Sequence, residues 1–432
     1  MLFTIIKKER GKKMFRVFEK RESIVRSYCR KYPVVFQRAK NSELFSVEGE
    51  RFIDFLAVAG SMNYGHNNSY IKNAVIDYLS EDNIINALDM YTKAKEDFLK
   101  AVEKYILFPK KLDYKVMCCG ATGTNAVEAA MKLARKNTGR TNIIAFSGAF
   151  HGMSLGSLSA TTDVTSRTGA SVPLNNVTFV PFCGGKFDSI EYFREVLDDD
   201  HSGIDKPAAV ILETVQAEGG INVATDEWLR EVRNICTEHD IIMIVDEIQV
   251  GNGRTGTFFS FERAGIVPDI VVISKSISGF GLPMAMLLFK PELDIFKPAE
   301  HNGTFRGNQL GFIGCKAALE YYSQNNMESE VQRKGKIVED FIKKEILNID
   351  SNIIHRGIGL IHGIDFNAIS PSIALECVHE AFDNKLIMEV AGRHDGVLKI
   401  MPPLTIEDEL LIEGLEIVKK SIETVLEKHQ KL

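Results

Sequence analysis

Two short apolar runs near the middle of the chain predict its central strands. Residues 241–245 read IIMIV and residues 270–273 read IVVI, each without a polar position. Such uninterrupted runs are typical of strands buried on both faces, as in a parallel sheet. Asp246 and Glu247 follow the first run, and Lys275 lies two residues beyond the second. Because ligands of open α/β sheets bind beyond the carboxyl ends of the strands, the pattern predicts that Asp246 and Lys275 lie at a ligand-binding edge.

Hydrophobic periodicity and turn residues predict the remaining elements. Further strands are predicted at residues 115–119, 143–146, 176–181, 208–215, 359–365 and 396–401, with a β-hairpin at 44–56 around Glu48-Gly49-Glu50. Helices are predicted within 15–41, 69–106, 228–239, 328–344 and 406–427, and from residue 311 onward. The distribution of charged residues and glycines predicts that a smaller C-terminal domain begins after about residue 318.

A glycine-rich turn, GATGTN at residues 120–125, leads from a predicted strand into a predicted helix. Asn125 is the predicted N-cap, with Glu128 three residues on as its capping-box partner. Free backbone N–H groups and the positive end of the helix dipole make such a turn suitable for binding an anion. A tight turn without a ligand has the same sequence pattern. The glycines do not follow the G-x-G-x-x-G order of nicotinamide-binding folds.

Composition narrows the functional classes. The 432 residues are 45% hydrophobic and 25% charged, with a net charge of −6 and scattered basic residues, which argues against nucleic-acid binding. No apolar run approaches the ~18 residues that span a bilayer. The seven cysteines include only an adjacent pair, Cys118-Cys119, without metal-ligand spacing, so we expect reduced thiols, no metal site and a cytoplasmic location. Residues 1–14 are predicted to be a frayed extension, and either Met1 or Met14 is the start.

Lys275 and Asp246 together suggest a particular cofactor chemistry. A lysine that loses its proton in a partly dry pocket forms Schiff bases with aldehydes. An aspartate can keep a pyridinium nitrogen protonated, so that the ring accepts electrons. For either residue alone, a solvated surface charge is the more common explanation. As a pair, with a phosphate-sized anion site upstream, they are what pyridoxal phosphate (PLP) requires.

The motif VDEIQVGNGRTGTFFSFERAGIVPDIVVISKSISGFGLPMA, residues 245–285, resembles the core signature of the class III aminotransferases, PLP enzymes of fold type I. The resemblance runs from about Phe15 to the C-terminus. It implies an α/β fold in which a large PLP-binding domain, residues 69–318, has a central, mostly parallel sheet between helices. A small α+β domain would be built from both termini, residues 15–68 and 319–432.

The resemblance also implies roles for individual residues. Lys275 and Asp246 would be catalytic, and Gly123, Thr124 and the partner subunit's Thr304 would hold the phosphate. Phe150 would stack on the pyridine ring and Gln249 would face its phenolic oxygen, with His151 and Glu213 beside the cofactor. A threonine that reaches the neighbouring subunit's cofactor implies a homodimer, or a higher homo-oligomer, with shared active sites.

Three further stretches, NYGHNN at 63–68, TGTNAVEAA at 122–130 and HNGTFRGN at 301–308, resemble the branch of this family that opens ectoine synthesis. That likeness implies that glutamate donates its amino group to aspartate β-semialdehyde, giving 2,4-diaminobutyrate and 2-oxoglutarate in a ping-pong reaction. The alternative within the family is a class III enzyme that acts on ornithine, 4-aminobutyrate or a related diamine. The non-enzymatic alternative is an inert protein that has kept the fold.

Two departures from the broader family concern substrate binding. Thr304-Phe305-Arg306-Gly307-Asn308-Gln309 replaces the usual Thr-Phe-Gly-Gly-Asn-Pro, and Lys399 stands where many members carry a carboxylate-binding arginine before the Pro-Pro pair. A lysine cannot form the bidentate contact of a guanidinium. Either Lys399 or Arg306 is therefore the predicted ligand of the substrate carboxylate. In relatives, a glutamate at the position of Glu218 neutralises that cation when the substrate end is uncharged and swings away when it is not.

Overall fold

The computed structural model describes residues 15–185 and 187–430. The extension predicted at residues 1–14 lies outside the described residues. No helix in the described part of the chain is long and apolar enough to cross a membrane.

A seven-stranded sheet forms the centre of the molecule. Its strands are β4 (Lys115–Gly120), β5 (Ile143–Phe146), β6 (Val177–Val180), β7 (Ala209–Leu212), β10 (Ile242–Asp246), β11 (Ile270–Ile273) and β12 (Ala285–Phe289). They are arranged in the order β4-β12-β11-β10-β7-β5-β6. β10 pairs in parallel with β7 and β11, and β5 pairs in parallel with β6 and β7. The predicted mostly parallel sheet is confirmed, and the strands predicted around Asp246 and Lys275 are adjacent.

β12 is the exception, because it runs antiparallel between β11 and β4. This strand was not predicted from the sequence. Its five apolar residues follow a loop that was considered only as part of a family motif, and periodicity alone cannot tell such a run from a buried helix.

Both faces of the central sheet are buried, as the apolar runs predicted. Ile242 and Ile244 of β10 pack with the alanine-rich face of the helix Gly123–Thr138. Met243 and Val245 point to the opposite face and join the larger core. Alternate residues of one strand therefore pack against helices on opposite sides of the sheet.

The helices are α1 (15–21), α2 (Tyr28–Lys31), α3 (Ala57–Gly60), α4 (Ser69–Leu79), α5 (Lys93–Val102), α6 (Gly123–Thr138), α7 (Leu155–Ser159), α8 (Val164–Thr168), α9 (Ser189–Asp198), α10 (Asp226–Glu238), α11 (Gln309–Gln324), α12 (Met327–Phe341), α13 (Ser372–Asp383) and α14 (Asp408–Gln430). α5 and α12 continue into π turns at Glu103–Leu107 and Ile342–Ile346. 3₁₀ turns occupy Ser260–Ala264, Lys275–Ser278, Pro291–Leu293, Thr304–Gly307 and Arg393–Asp395. The helical region predicted at 69–106 is divided, because residues 80–92 are irregular.

Two four-stranded sheets and one short hairpin complete the fold. One sheet has the order β1-β2-β3-β15, from β1 (Phe36–Lys40), β2 (Glu43–Ser46), β3 (Arg51–Asp54) and β15 (Leu386–Ile387). The other has the order β13-β14-β17-β16, from β13 (Ile354–Ile358), β14 (Ile361–Asp365), β16 (Glu389–Ala391) and β17 (Val397–Ile400). β8 (Val215–Gln216) pairs with β9 (Asn222–Val223), so the strand predicted at 208–215 is split between β7 and β8.

The parallel pairing of β15 with β3 joins the two ends of the chain, as expected for a small domain built from both termini. The domain boundaries at residues 15–68, 69–318 and 319–432 stay a prediction.

Arg254 connects the loop after β10 to this smaller part. Its guanidinium is fully buried and donates to Asn63 Oδ1 at 2.6 Å, to the carbonyl of Leu360 at 2.9 Å and to the carbonyl of Pro402. Burial without a directly bonded carboxylate lowers the pKa of Arg254 to about 9. Pro402 lies two residues beyond the end of β17, so Arg254 fixes the strand that carries Lys399 against the central sheet.

Candidate active site

A cavity of about 250 Å³ lies at the carboxyl edge of the central sheet. Loops after β4, β5, β7, β10 and β11 line it, as the topology of a parallel sheet predicts. Most of the residues predicted from the sequence line this cavity: Gly123, Thr124, Phe150, His151, Glu213, Glu218, Asp246, Gln249 and Lys275. Three predicted residues, Thr304, Arg306 and Lys399, do not line it.

Lys275 follows Ser274, just beyond the end of β11, and its side chain lines the cavity. Its Nζ donates to the carbonyl of Ala59 at 2.8 Å, and its backbone has φ of +51°. The flanking serines hold this conformation, since Ser274 Oγ donates to the carbonyl of Met284 and Ser276 Oγ to that of Gly60. Burial lowers the pKa of Lys275 to about 8, against an opposing effect of Glu218. The amine is therefore easier to deprotonate than an ordinary lysine.

The carbonyl of Ala59 belongs to a left-handed turn that the sequence analysis missed. Ala57, Val58 and Ala59 have φ of 46°, 49° and 53°, in a region that non-glycine residues seldom occupy. Asp54 Oδ1 stabilises the turn by accepting the N–H groups of Leu56 and Ala57, each at 2.8 Å. The Ala59 carbonyl accepts from Gln249 Nε2 at 2.9 Å as well as from Lys275. Strained backbone of this kind is common where side chains must be positioned closely.

Asp246 is almost fully buried and is held by two donors. Its Oδ2 lies 2.8 Å from Nδ1 of His151, and its Oδ1 accepts the N–H of Ile248 at 3.0 Å. Burial by itself lowers the pKa of His151, but the Asp246 carboxylate outweighs it and the net pKa is raised. The Asp246 carboxylate thus favours the protonated form of the His151 imidazole in a site from which water is largely excluded.

Glu213 and Glu247, two buried carboxyls near this pair, have different surroundings. Glu213 lines the cavity and its Oε1 accepts the N–H of Phe150 at 3.0 Å, which fixes the loop that carries this aromatic ring. Glu247 does not line the cavity, and accepts the N–H of Ser260 at 3.0 Å and its hydroxyl at 2.6 Å. Burial raises the pKa of both glutamates to about 7. Glu247 therefore stabilises the 3₁₀ turn at Ser260–Ala264.

The N-terminus of α6, the predicted anion site, lies at one end of the cavity, and its first N–H groups have no partner within the helix. The predicted cap was wrong: Thr122 is the N-cap and forms the capping box with Asn125. Glu128 instead accepts the N–H groups of Gly156 and Ser157 at 3.1 and 3.3 Å. A Cβ at Gly123 would lie 2.7 Å from Ile248 Cδ1, so a larger residue there would require the Ile248 side chain to move.

Thr304 and Arg306 lie outside the cavity of their own chain. Thr304 lines a separate cavity with Gly120 and Asn125. Arg306 donates from Nε to the carbonyl of Cys118 at 3.1 Å and from Nη1 to that of His301 at 2.9 Å. Arg306 thus binds backbone oxygens of its own chain.

Lys399 is completely buried behind the cavity, surrounded by three side-chain oxygens. Its Nζ lies 2.8 Å from Glu218 Oε1, 3.0 Å from Glu389 Oε1 and 3.2 Å from Gln249 Oε1. Burial alone would lower the pKa of Lys399, but the carboxylates of Glu218 and Glu389 outweigh it and raise that pKa. Burial alone would raise the pKa of Glu218, but the charges of Lys399 and Lys275 outweigh it and lower that pKa to about 2. Glu389 was not predicted, since only the pairing of β16 with β17 places it opposite Lys399.

A larger outer cavity of about 680 Å³ shares Phe150 and Glu218 with the first. Close glycine contacts shape its wall: a Cβ at Gly219 would lie 2.4 Å from the carbonyl oxygen of Gly148. Arg393, also missed by the sequence analysis, lines this cavity with an exposed guanidinium. The two cavities together lead from the surface to Lys275.

The residues present fit PLP. Lys275 supplies an amine of lowered pKa, Asp246 a carboxylate for a ring nitrogen, Phe150 an aromatic face and the start of α6 a phosphate site. When bound, PLP supplies an aldehyde that condenses with amines and a ring that accepts the electrons released as a proton leaves the substrate carbon.

Comparisons with known proteins agree with this site. Residues 25–422 match the family described as aminotransferase class III. The chain is 49% identical to each of two proteins named diaminobutyrate–2-oxoglutarate transaminase, from Bordetella parapertussis and Halalkalibacterium halodurans. The match to the first covers 96% of both proteins. The match to the second covers 95% of this chain and 97% of the relative. The fold is similar to that of an ornithine aminotransferase from Toxoplasma gondii, with a TM-score of 0.85 and 23% identity over 97% of this chain and 96% of that one.

The family match spans nearly the whole chain, and the cavity brings together an amine, an aspartate, an aromatic ring and a helix N-terminus suited to one cofactor. The resemblance stated from the motifs is confirmed: the chain belongs to the class III aminotransferases and is a PLP-dependent transaminase.

Proposed function

We propose that this transaminase transfers an amino group between glutamate and aspartate β-semialdehyde, giving 2,4-diaminobutyrate and 2-oxoglutarate. The observation that carries the proposal is the full-length similarity to relatives that bear the name diaminobutyrate–2-oxoglutarate transaminase. The charges behind the cavity support it, because Glu218, one carboxylate partner of Lys399, can be exchanged for a substrate carboxylate.

Lys275 would hold the cofactor and move a proton at the substrate carbon, for which an amine of lowered pKa is suited. Asp246, with His151 behind it, would keep the ring nitrogen protonated. Gly123 and Thr124 would bind the phosphate, Phe150 would cover the ring, and Glu213 would hold Phe150 in place. Gln249, which is anchored on Ala59, would face the phenolic oxygen.

Glu218 would neutralise Lys399 while an uncharged substrate end is bound. It would move away when glutamate or 2-oxoglutarate brings a carboxylate. The geometry allows this exchange, because Glu218 is partly exposed and lines both cavities, whereas Lys399 is fixed and buried. Arg393 lines the outer cavity, which leads to Glu218. We therefore propose Arg393, rather than Arg306, as a second cation of the same chain near the bound substrate.

The active form is proposed to be a homodimer. Thr304 lies outside the cavity of its own chain, as expected for a residue that serves a neighbouring site. An apolar ridge, made of Ile84, Ile85, Leu88, Met90, Tyr91 and Phe305, is exposed next to it. The ridge and the Thr304 loop are joined, since the N–H of Ala87 donates to the carbonyl of Gly307 at 3.3 Å. Contiguous exposed apolar side chains of this kind usually mark an interface.

A role in the ectoine pathway and a cytoplasmic location stay predictions. Activity on ornithine, 4-aminobutyrate or another diamine is the alternative within the family. A panel of these donors with 2-oxoglutarate, with products identified by mass spectrometry, separates them. The proposal expects 2,4-diaminobutyrate to be the preferred donor by at least about tenfold in kcat/KM, the equivalent of ~1.4 kcal/mol. A preference for ornithine or 4-aminobutyrate would contradict it.

A further inference from the structure

Lys399 shares its buried position with two carboxylates. Glu389 lies directly opposite Lys399 in the antiparallel pairing of β16 with β17, and their charged atoms are 3.0 Å apart. Glu218 approaches the same ammonium at 2.8 Å from the loop after β8. This charge cluster, Lys399 with Glu389 and Glu218, therefore carries one more negative than positive charge.

The two glutamates differ in freedom to move. Glu389 is 3% exposed, and its second oxygen accepts the hydroxyl of Tyr28 at 3.1 Å. Glu218 has a side chain that is 32% exposed, and it borders both cavities. Glu389 is thus a fixed counter-ion, and Glu218 is the partner that can be displaced.

We infer that Glu389 is a specificity-determining residue, which keeps Lys399 neutralised when Glu218 moves and leaves the empty site with a surplus negative charge. This inference rests on the proposed function and assigns its substrate preference to a residue that does not line the catalytic cavity. Without Glu389, displacement of Glu218 would leave a buried, unpaired ammonium that binds a dicarboxylate tightly.

The surplus charge acts oppositely on the two amino donors. At neutral pH 2,4-diaminobutyrate has two ammonium groups and one carboxylate, whereas glutamate has one ammonium and two carboxylates. A cluster with excess negative charge favours the first and disfavours the second. Glu389 therefore weakens the binding of glutamate and strengthens that of 2,4-diaminobutyrate. One cavity can then bind both donors without holding glutamate too tightly to release it.

Glu389→Gln tests the inference, because it removes the charge and keeps the shape. Both donors react with the same PLP-loaded form of the enzyme, so single-turnover rates against donor concentration give an apparent Kd for each. In Glu389→Gln the apparent Kd for glutamate should fall, and that for 2,4-diaminobutyrate should rise, each by about fivefold or more, as expected for removing one charge a few ångströms away. Equal shifts in one direction, or none, would overturn the inference.

Two further variants separate charge from structure. Tyr28→Phe removes the hydrogen bond to Glu389 but keeps its charge, and should leave the ratio of the two Kd values unchanged within about twofold. If Glu389→Gln does not fold, Lys399→Met and the double variant Glu389→Gln/Lys399→Met are compared, because they differ only in the charge at residue 389. The ratio of the apparent Kd for glutamate to that for 2,4-diaminobutyrate should be lower in the double variant by about fivefold or more, and an unchanged ratio would overturn the inference.

The parent protein distinguishes this failure from failure of the proposed function. If it reacts with glutamate but not with 2,4-diaminobutyrate, the proposed function is wrong and the inference falls with it. If it reacts with both and Glu389→Gln shifts both apparent Kd values together, only the inference is wrong.

Discussion

At the scale of single residues, Asp246 and Glu247 offer a direct comparison between a functional and a structural carboxyl. Both are buried and adjacent, but only Asp246 lines the cavity. Asp246→Asn should lower kcat by on the order of 100-fold, because an amide cannot hold the ring proton by charge. Glu247→Gln should instead lower stability by about 1–2 kcal/mol, since it loses a hydrogen bond to Ser260 or Phe261.

Turnover and a melting curve for each variant check this pair. The assignment would be contradicted by an unchanged kcat in Asp246→Asn together with a lowered Tm, which would make Asp246 structural.

The lowered pKa of Lys275 predicts how the protein without PLP takes up its cofactor at different pH values. The neutral amine attacks the aldehyde, and below a pKa of about 8 its fraction falls about tenfold per pH unit. The uptake rate, followed by absorbance after adding PLP, should rise up to about pH 8 and then level off. A rate that keeps rising to about pH 10.5 would mean that burial does not lower the pKa of Lys275.

How far single residues could be predicted depended on whether their signal is local. Asp246 directly follows an apolar run and Lys275 lies two residues beyond another, so neighbouring residues are enough to predict their position at the sheet edge. Glu389 and the carbonyl of Ala59 have no such signal, because cross-strand register brings the first to Lys399 and tertiary contacts hold the second in a left-handed turn. The placement of Arg306 against Cys118 and His301 likewise depends on how a distant loop packs.

At the scale of elements, α3 contains the strain that positions Lys275 and Gln249. Val58 is β-branched, 52% exposed and has φ of 49°, a conformation that costs roughly 1–2 kcal/mol for such a residue. Val58→Gly should therefore raise the stability by about 0.5–1 kcal/mol, after the entropy cost of glycine is subtracted.

The matched control for this prediction is Val267→Gly, at an exposed loop valine that is not among the positive-φ residues. Thermal melting should show a higher Tm for the first variant and a lower or equal Tm for the second. A similar decrease in both would indicate that the turn at Ala57–Gly60 is not strained.

Element type could be predicted well where burial is two-sided. The strand Ile270–Ile273 agrees with its predicted bounds, and so does Ile143–Phe146. β12 could not be recognised, because periodicity cannot tell a short apolar run in a strand from one in a buried helix. The helix cap is Thr122 rather than Asn125, because several residues of one turn can cap. The break between α4 and α5 follows the contacts of residues 84–91 with the Thr304 loop rather than local periodicity.

At the scale of the whole molecule, the exposed apolar ridge predicts the oligomeric state. Two chains of 48.3 kDa should give a particle of twice that mass in light scattering after size exclusion. Leu88→Glu should shift it toward the monomer and lower activity, because the ridge is continuous with the loop that carries Thr304. Ile412→Glu, at a similarly exposed position on α14, should do neither. A monomeric parent protein with full activity would contradict the shared site.

The central claim is that Lys275 catalyses amino transfer from glutamate to aspartate β-semialdehyde. The most direct measurement supplies ¹⁵N-labelled glutamate and aspartate β-semialdehyde to the PLP-loaded protein, and follows the label by mass spectrometry. We expect ¹⁵N at C4 of 2,4-diaminobutyrate with the parent protein, and no labelled product with folded Lys275→Ala. Labelled product at an undiminished rate in Lys275→Ala, or none with the parent protein, would contradict it.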